Sequence, residues 1–121
     1  MSSKVLASAF VAFGAAFLGG CGRSKAAPSG RQVYLDYGCA ACHGMSGDGR
    51  GMQSRAMTPP PTNFRDVASY RHGADSGSLR RAILLGIREE SSRMPSFEHL
   101  APEELDALVS YLSSLQTAHN E

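Results

Sequence analysis

The chain has 121 residues and a formal net charge of +1, with 12 Lys and Arg against 11 Asp and Glu. That length holds one domain once any targeting segment is set aside. The near-balance of charge excludes the basic excess of a nucleic-acid binder. There are three cysteines and no tryptophan.

Residues 1–20 read as an export signal. Lys4 gives a short positive start, and "VLASAFVAFGAAFLGG" (Val5–Gly20) is apolar or small throughout. The run is short for a membrane span, which needs roughly 20 residues, but suits a secretory core. It ends in "LGGC", which resembles the lipobox of bacterial lipoprotein signal peptides. The resemblance implies that Cys21 is lipidated and becomes the new N-terminus. Residues 21–29 then form the lipidated cysteine and a flexible tether, by their Gly, Ser, Ala and Pro content. Residues 30–117 are the expected domain and 118–121 a tail. The rest of the chain is thus expected outside the cytoplasm, periplasmic or on the outer face of a membrane, anchored through Cys21.

A first helix is expected over 30–41, with Val33, Tyr34, Tyr37 and Ala41 on one face. It runs into "GCAACHG" (38–44), with Gly44 as its stop. Met45–Asp66 carries Gly47, Gly49, Gly51 and Pro59–Pro61, so no regular element is expected there. Loops of that length are uncommon in a compact domain unless they are functional. A second helix is expected over 78–88, capped by Ser78, with Leu79, Ile83, Leu84 and Ile87 apolar. "EESSRMPSFEHL" follows as an irregular stretch. The last helix begins at Pro102, with Glu103 and Glu104 at the positive end of its dipole. Leu105, Leu108, Val109, Leu112 and Leu115 form its apolar stripe, and Ala101 offers no side-chain cap. No alternating strand pattern of any length is present. The fold class expected is all-α, three main helices plus loops.

Three chemistries compete for Cys39, Cys42 and His43. A structural zinc site needs four ligands. This chain has no second cysteine pair, and His72, His99 and His119 are scattered. A thioredoxin-like dithiol opens a helix after a strand; here the pair follows a helical segment. The third chemistry is covalent haem attachment, as C-x-x-C-H is read in an exported protein. Two thiols two residues apart add to the two vinyl groups of one porphyrin, and the adjacent histidine reaches its iron.

The match extends past that motif. "GRQVYLDYGCAACHG", "GDGRG", "PPPTNF", "LRRAILLGI", "RMPSF" and "LAPEELDALVSYLSSL" resemble successive parts of a class I, monohaem cytochrome c over roughly residues 30–116. The resemblance implies a small cytochrome c fold around one covalent haem c, with its iron. Cys39 and Cys42 would attach it, with His43 and Met94 as the two axial iron ligands. It also implies a hydrogen bond from His43 to a backbone carbonyl of the proline stretch, at Pro59 or Pro60, and Tyr111 packed near Gly30 and Tyr34. Met45, Met52 and Met57 lie near His43 in sequence, and His72 is the main rival ligand. Tyr70, Arg65 and Arg71 could approach haem carboxylates in such a fold, but each also reads as an ordinary loop-face residue, and none is taken as a site residue.

The activity implied is one-electron transfer in a respiratory or photosynthetic chain, not catalysis. The expected partners are redox proteins such as a membrane oxidase, reductase or dehydrogenase, and the membrane through the lipid. No nucleic acid and no small-molecule substrate are expected. Two alternatives remain open: a haem c subunit of a periplasmic dehydrogenase complex, and a haem-based sensor.

Overall fold

A computed structural model of the chain describes Gly14, Gly19, Gly20 and residues 26–117. Cys21 and the rest of the expected signal and tether before Ala26 lie outside the described residues, as does the tail. Among the described residues four helices and one hairpin follow in chain order: α1 (Gly30–Asp36), α2 (Cys39–His43), α3 (Ser76–Leu85), β1 (Ile87–Glu89), β2 (Ser92–Met94) and α4 (Pro102–Thr117). Single 3-10 turns lie at Met52–Ala56 and Val67–Ser69. The expected all-α class holds, with the hairpin added.

The expected helix over 30–41 is in fact two. Gly38 takes the left-handed conformation at φ 76°, which side-chain-bearing residues avoid. The chain turns there, and the cysteine motif gets its own short helix. Ser29 caps α1, its side chain accepting from the Gln32 amide. The second expected helix is shifted. Asp75, not Ser78, is the N-cap, and it accepts from the Ser78 amide at 2.9 Å. Gly86, at φ 72°, ends α3 early, so Ile87 opens a strand instead of extending the stripe.

The hairpin also replaces part of the irregular stretch expected at 89–100. Its strands pair antiparallel, Ile87 with Met94, Arg88 with Arg93 and Glu89 with Ser92. Three residues per strand are too few for the alternating pattern to stand out in sequence. At α4 the missing cap is supplied from inside the helix. Glu104 reaches back to accept from the Ala101 amide at 3.1 Å, half of a capping box. The same carboxylate accepts from the Tyr37 hydroxyl at 2.9 Å, joining α4 to the end of α1.

The core forms where α1 crosses α4 and α3 packs beside them. Val33 and Tyr34 of α1 meet Leu105, Leu108, Val109 and Leu112 of α4, with Leu79 and Ile83 of α3. Tyr111 packs edge-on to Tyr34, ring centres 5.5 Å apart, as the resemblance implied. The helices approach closely at Gly30, where a Cβ would overlap the Ala107 carbonyl and lie 2.6 Å from the Tyr111 Cβ. Among the described residues no helix is long and apolar enough to cross a membrane.

Candidate functional site

The glycine loop is built to finish α2. A helix leaves its last carbonyls without partners. Here the loop folds back on them: the Gly51 amide donates to Cys42 at 3.0 Å, Gly49 to His43 at 2.7 Å and Gly47 to Gly44 at 3.1 Å. From the other side the Tyr34 hydroxyl, wholly buried, donates to the Gly44 carbonyl at 2.6 Å. Burial first, and the nearby Cys39 second, push its acidity well below that of a free phenol. The C-x-x-C-H turn is thus clamped at both sides by hydrogen bonds.

His43 is oriented by the proline segment. Its Nδ1 lies 2.9 Å from the Thr62 carbonyl. A carbonyl only accepts, so Nδ1 carries the proton and Nε2 keeps its lone pair. Thr62, not Pro59 or Pro60, is therefore the acceptor; the three prolines bring the chain to it. Phe64 stacks on the imidazole at 4.4 Å between ring centres, and its own amide donates to Gly47 at 2.7 Å. Burial lowers the His43 pKa, opposed by the Thr62 bond. The ring is neutral near pH 7, the form a metal binds.

Met94 is placed by α3 and its exit. With a Cβ at Gly86, that atom would lie 2.6 Å from the Met94 carbonyl, so glycine is what lets β2 end there. The Phe97 amide donates to the Ile83 carbonyl at 2.9 Å, tying the chain just past Pro95 to α3.

Cys39, Cys42, His43 and Met94 all line one cavity of about 400 Å³. Its walls are mostly apolar, with Leu79, Ile83 and Phe97 among them. Cofactor pockets commonly run from roughly 300 to 1,000 Å³. The volume, the apolar lining, both thiols and a neutral imidazole fit a haem. They do not fit the two rival chemistries. Redox-active thiols have lowered pKa values, whereas burial pushes Cys39 up to about 11 and Cys42 upward too. Among the described residues no group of three His, Cys, Asp or Glu side chains is placed to hold a metal ion.

The other sequence candidates separate. Met45 and Met52 are 64% and 91% exposed, but Met57 lines the same cavity as Met94. Nearness to His43 in sequence does not keep Met57 from reaching it. His72 sits at the cavity rim and pairs with Glu89 at 2.8 Å. Arg71 is also at the rim, bonded to Glu89 and to the Pro60 carbonyl. The Tyr70 hydroxyl donates to the Phe64 carbonyl at 2.9 Å. His99 is exposed and lies beside Tyr37 and Phe97.

Comparison with known proteins agrees with this geometry. The sequence profile of the family described as cytochrome c matches residues 27–116. The chain is 31% identical over 98 residues to cytochrome c oxidase subunit 2 of Alkalihalophilus pseudofirmus, covering 74% of this chain and 26% of that protein. It resembles a chain of the reducing HAO-like protein complex of Kuenenia stuttgartiensis at a TM-score of 0.62 and 31% identity, covering 75% of this chain and 43% of that one. The chain thus spans about a quarter of the first relative and under half of the second.

Proposed function

The chain belongs to the cytochrome c family, with its covalent haem c and electron-transfer role, and on that premise we propose that it is a class I, monohaem, one-electron carrier working outside the cytoplasm. The observation that carries this reading is the meeting of Cys39, Cys42, His43 and Met94 around one apolar cavity. Haem, when bound, supplies a one-electron iron couple.

The chain's own residues do the rest. Cys39 and Cys42 would hold the group through thioether bonds. His43 offers Nε2 because Thr62 takes the Nδ1 proton, and that bond also makes the imidazole a stronger donor. Met94, on the same cavity, would supply a thioether as the second iron ligand. A Met/His pair raises the potential, and the apolar wall from α3 and α4 acts the same way by disfavouring net charge. With both ligands in place, outside ligands would be kept from the iron. The protein therefore moves electrons and binds no substrate.

Export and lipidation at Cys21 are part of the proposal; they rest on the "LGGC" ending of the apolar segment. An anchor at a membrane face would raise the effective concentration near membrane-bound redox partners. A second reading, a haem-bearing component of a larger redox assembly, is favoured by the relatives: one is an oxidase subunit and the other a chain of a complex.

Two measurements test the ligand set. Replacing Cys39 and Cys42 with alanine should make haem extractable by acidified solvent. Met94→Ala should abolish the sulfur-to-iron charge-transfer band of the oxidised protein and lower its potential, while Met57→Ala leaves both in place. The reverse result would assign the ligand to Met57. Globomycin should block processing at Cys21 if the lipoprotein reading holds.

A further inference from the structure

The two sides of the candidate site are tied together at the cavity rim and beyond it. The proline segment, whose Thr62 carbonyl orients His43, also bonds to the hairpin that ends in Met94. The Thr58 amide donates to the Ser91 hydroxyl at 3.0 Å, and the Ser91 amide donates to the Thr58 carbonyl at 3.1 Å. Arg71 adds a second link. Its guanidinium donates to the Pro60 carbonyl at 3.2 Å, and to Glu89 Oε2 from Nη2 at 3.3 Å and from Nε at 3.4 Å. The other oxygen of the same carboxylate, Oε1, lies 2.8 Å from His72 Nε2.

Glu89 is therefore the hub. One carboxylate on β1 gathers Arg71 and His72, and Arg71 passes the link to the proline segment. The hairpin needs such ties. A two-stranded hairpin is marginal alone, and this one has three residues per strand. Arg88 stands directly opposite Arg93, a like-charge pair that weakens the pairing further. Its base is held to α3 at Gly86 and Phe97, but its turn end is held to the proline segment through Ser91 and Glu89.

We propose that Glu89 is a positioning residue: it ties the segment that orients His43 to the hairpin that carries Met94, and so sets how firmly Met94 is held at the cavity. This rests on the reading of Met94 as an axial ligand. A lone, partly exposed ion pair is worth little. Glu89 differs in accepting from Arg71 through both Nε and Nη2, in pairing with His72 through its other oxygen, and in joining the proline segment to the hairpin.

The test uses the full chain with its haem, in the oxidised state, titrated with imidazole, which binds iron only where Met94 leaves it. Glu89→Gln is expected to tighten imidazole binding about fivefold, near the upper end of what a partly exposed ion pair supplies, with a weaker sulfur-to-iron band. Arg71→Gln should shift binding in the same direction, and the double variant should shift it less than the two single shifts combined. Glu90→Gln removes the same charge one residue along and should leave binding within twofold of the parent. An unchanged affinity in Glu89→Gln overturns the proposal, as does an equal shift in Glu90→Gln, which would mark a general charge effect. If Glu89→Gln does not take up haem, Ser91→Ala decides in its place, with a smaller shift expected in the same direction and none overturning the proposal. Should the parent protein hold haem covalently yet lack the band, the Met94 reading itself fails, a result distinct from an unmoved Glu89 variant.

Discussion

The crossing of α1 with α4 and the wall formed by the proline segment and hairpin are held in different ways. At the crossing, apolar side chains interdigitate over several turns, and Gly30 lets the helices touch. The wall has few buried side chains of its own; it is fixed by single bonds such as those from Thr58, Thr62 and Arg71. Packing spreads a load over many contacts, each small. A hydrogen bond concentrates it at one atom pair, and its loss is local. The first region should therefore answer to changes of volume, and the second to changes of polar atoms that leave the fold standing.

The crossing gives the largest effect. Gly30→Ala puts a Cβ into the Ala107 backbone, which cannot step aside as a flexible side chain would. Overpacking of this kind costs about 1–3 kcal/mol, occasionally more. Urea denaturation should show a loss near the top of that range, about 3 kcal/mol, with the sulfur-to-iron band of the folded protein retained. A loss of the band at unchanged stability would mean that the two regions are not separable.

Tyr34 belongs to both regions. Its ring packs in the crossing, against Tyr111 and Phe64, and its hydroxyl bonds the carbonyl that closes α2. Tyr34→Phe keeps the packing and leaves the buried Gly44 carbonyl with the Gly47 amide as its remaining donor. A hydrogen bond of this kind contributes about 0.5–1.5 kcal/mol. We expect a loss of about 1 kcal/mol by denaturation, within that range, smaller than for Gly30→Ala. A neutral outcome would show that the Gly47 bond alone satisfies the carbonyl.

What could be read from the sequence divides along the same line. The stripe from Leu105 to Leu112 and the face carrying Val33 and Tyr34 repeat with the helical period, so the helices and their shared core were legible. Cys39, Cys42 and His43 were legible because adjacent residues define their motif, and the cavity gathers them as expected. The wall had no such period. The Thr62 acceptor, the hairpin and the cap from Asp75 depend on which backbone atom arrives where after long-range packing, and residue type records that poorly. Glycine at 86 was the one available signal. It ends α3 before Ile87 and permits the close approach of Met94, yet in sequence it stands inside an apolar helical pattern, where it reads as a tolerated interruption. Met57 is a related case: its closeness in sequence to His43 does not keep it from lining the cavity.

The smallest effect is expected at the cap of α3, the helix that both regions lean on. Asp75 accepts from the Ser78 hydroxyl at 2.7 Å and from the Ser78 amide at 2.9 Å. These bonds, the hydroxyl first, hold its carboxyl below the ordinary range. A folded-state pKa lowered in this way contributes stability that is complete above the unfolded value, about 3.9, and is lost as pH falls through the folded one. Asp75→Ala should therefore lower the thermal midpoint slightly at pH 7, and the gap from the parent should narrow below about pH 4. Asp75 is exposed, so salt should shrink the charged part of the gap as well. A gap that stays constant with pH would assign the role of Asp75 to backbone geometry at the cap, leaving α3 fixed by Leu79 and Ile83 alone. The cavity wall would then take its position from the packed side of the molecule through α3, and its polar ties would act only at the far edge, where Glu89 and Ser91 stand.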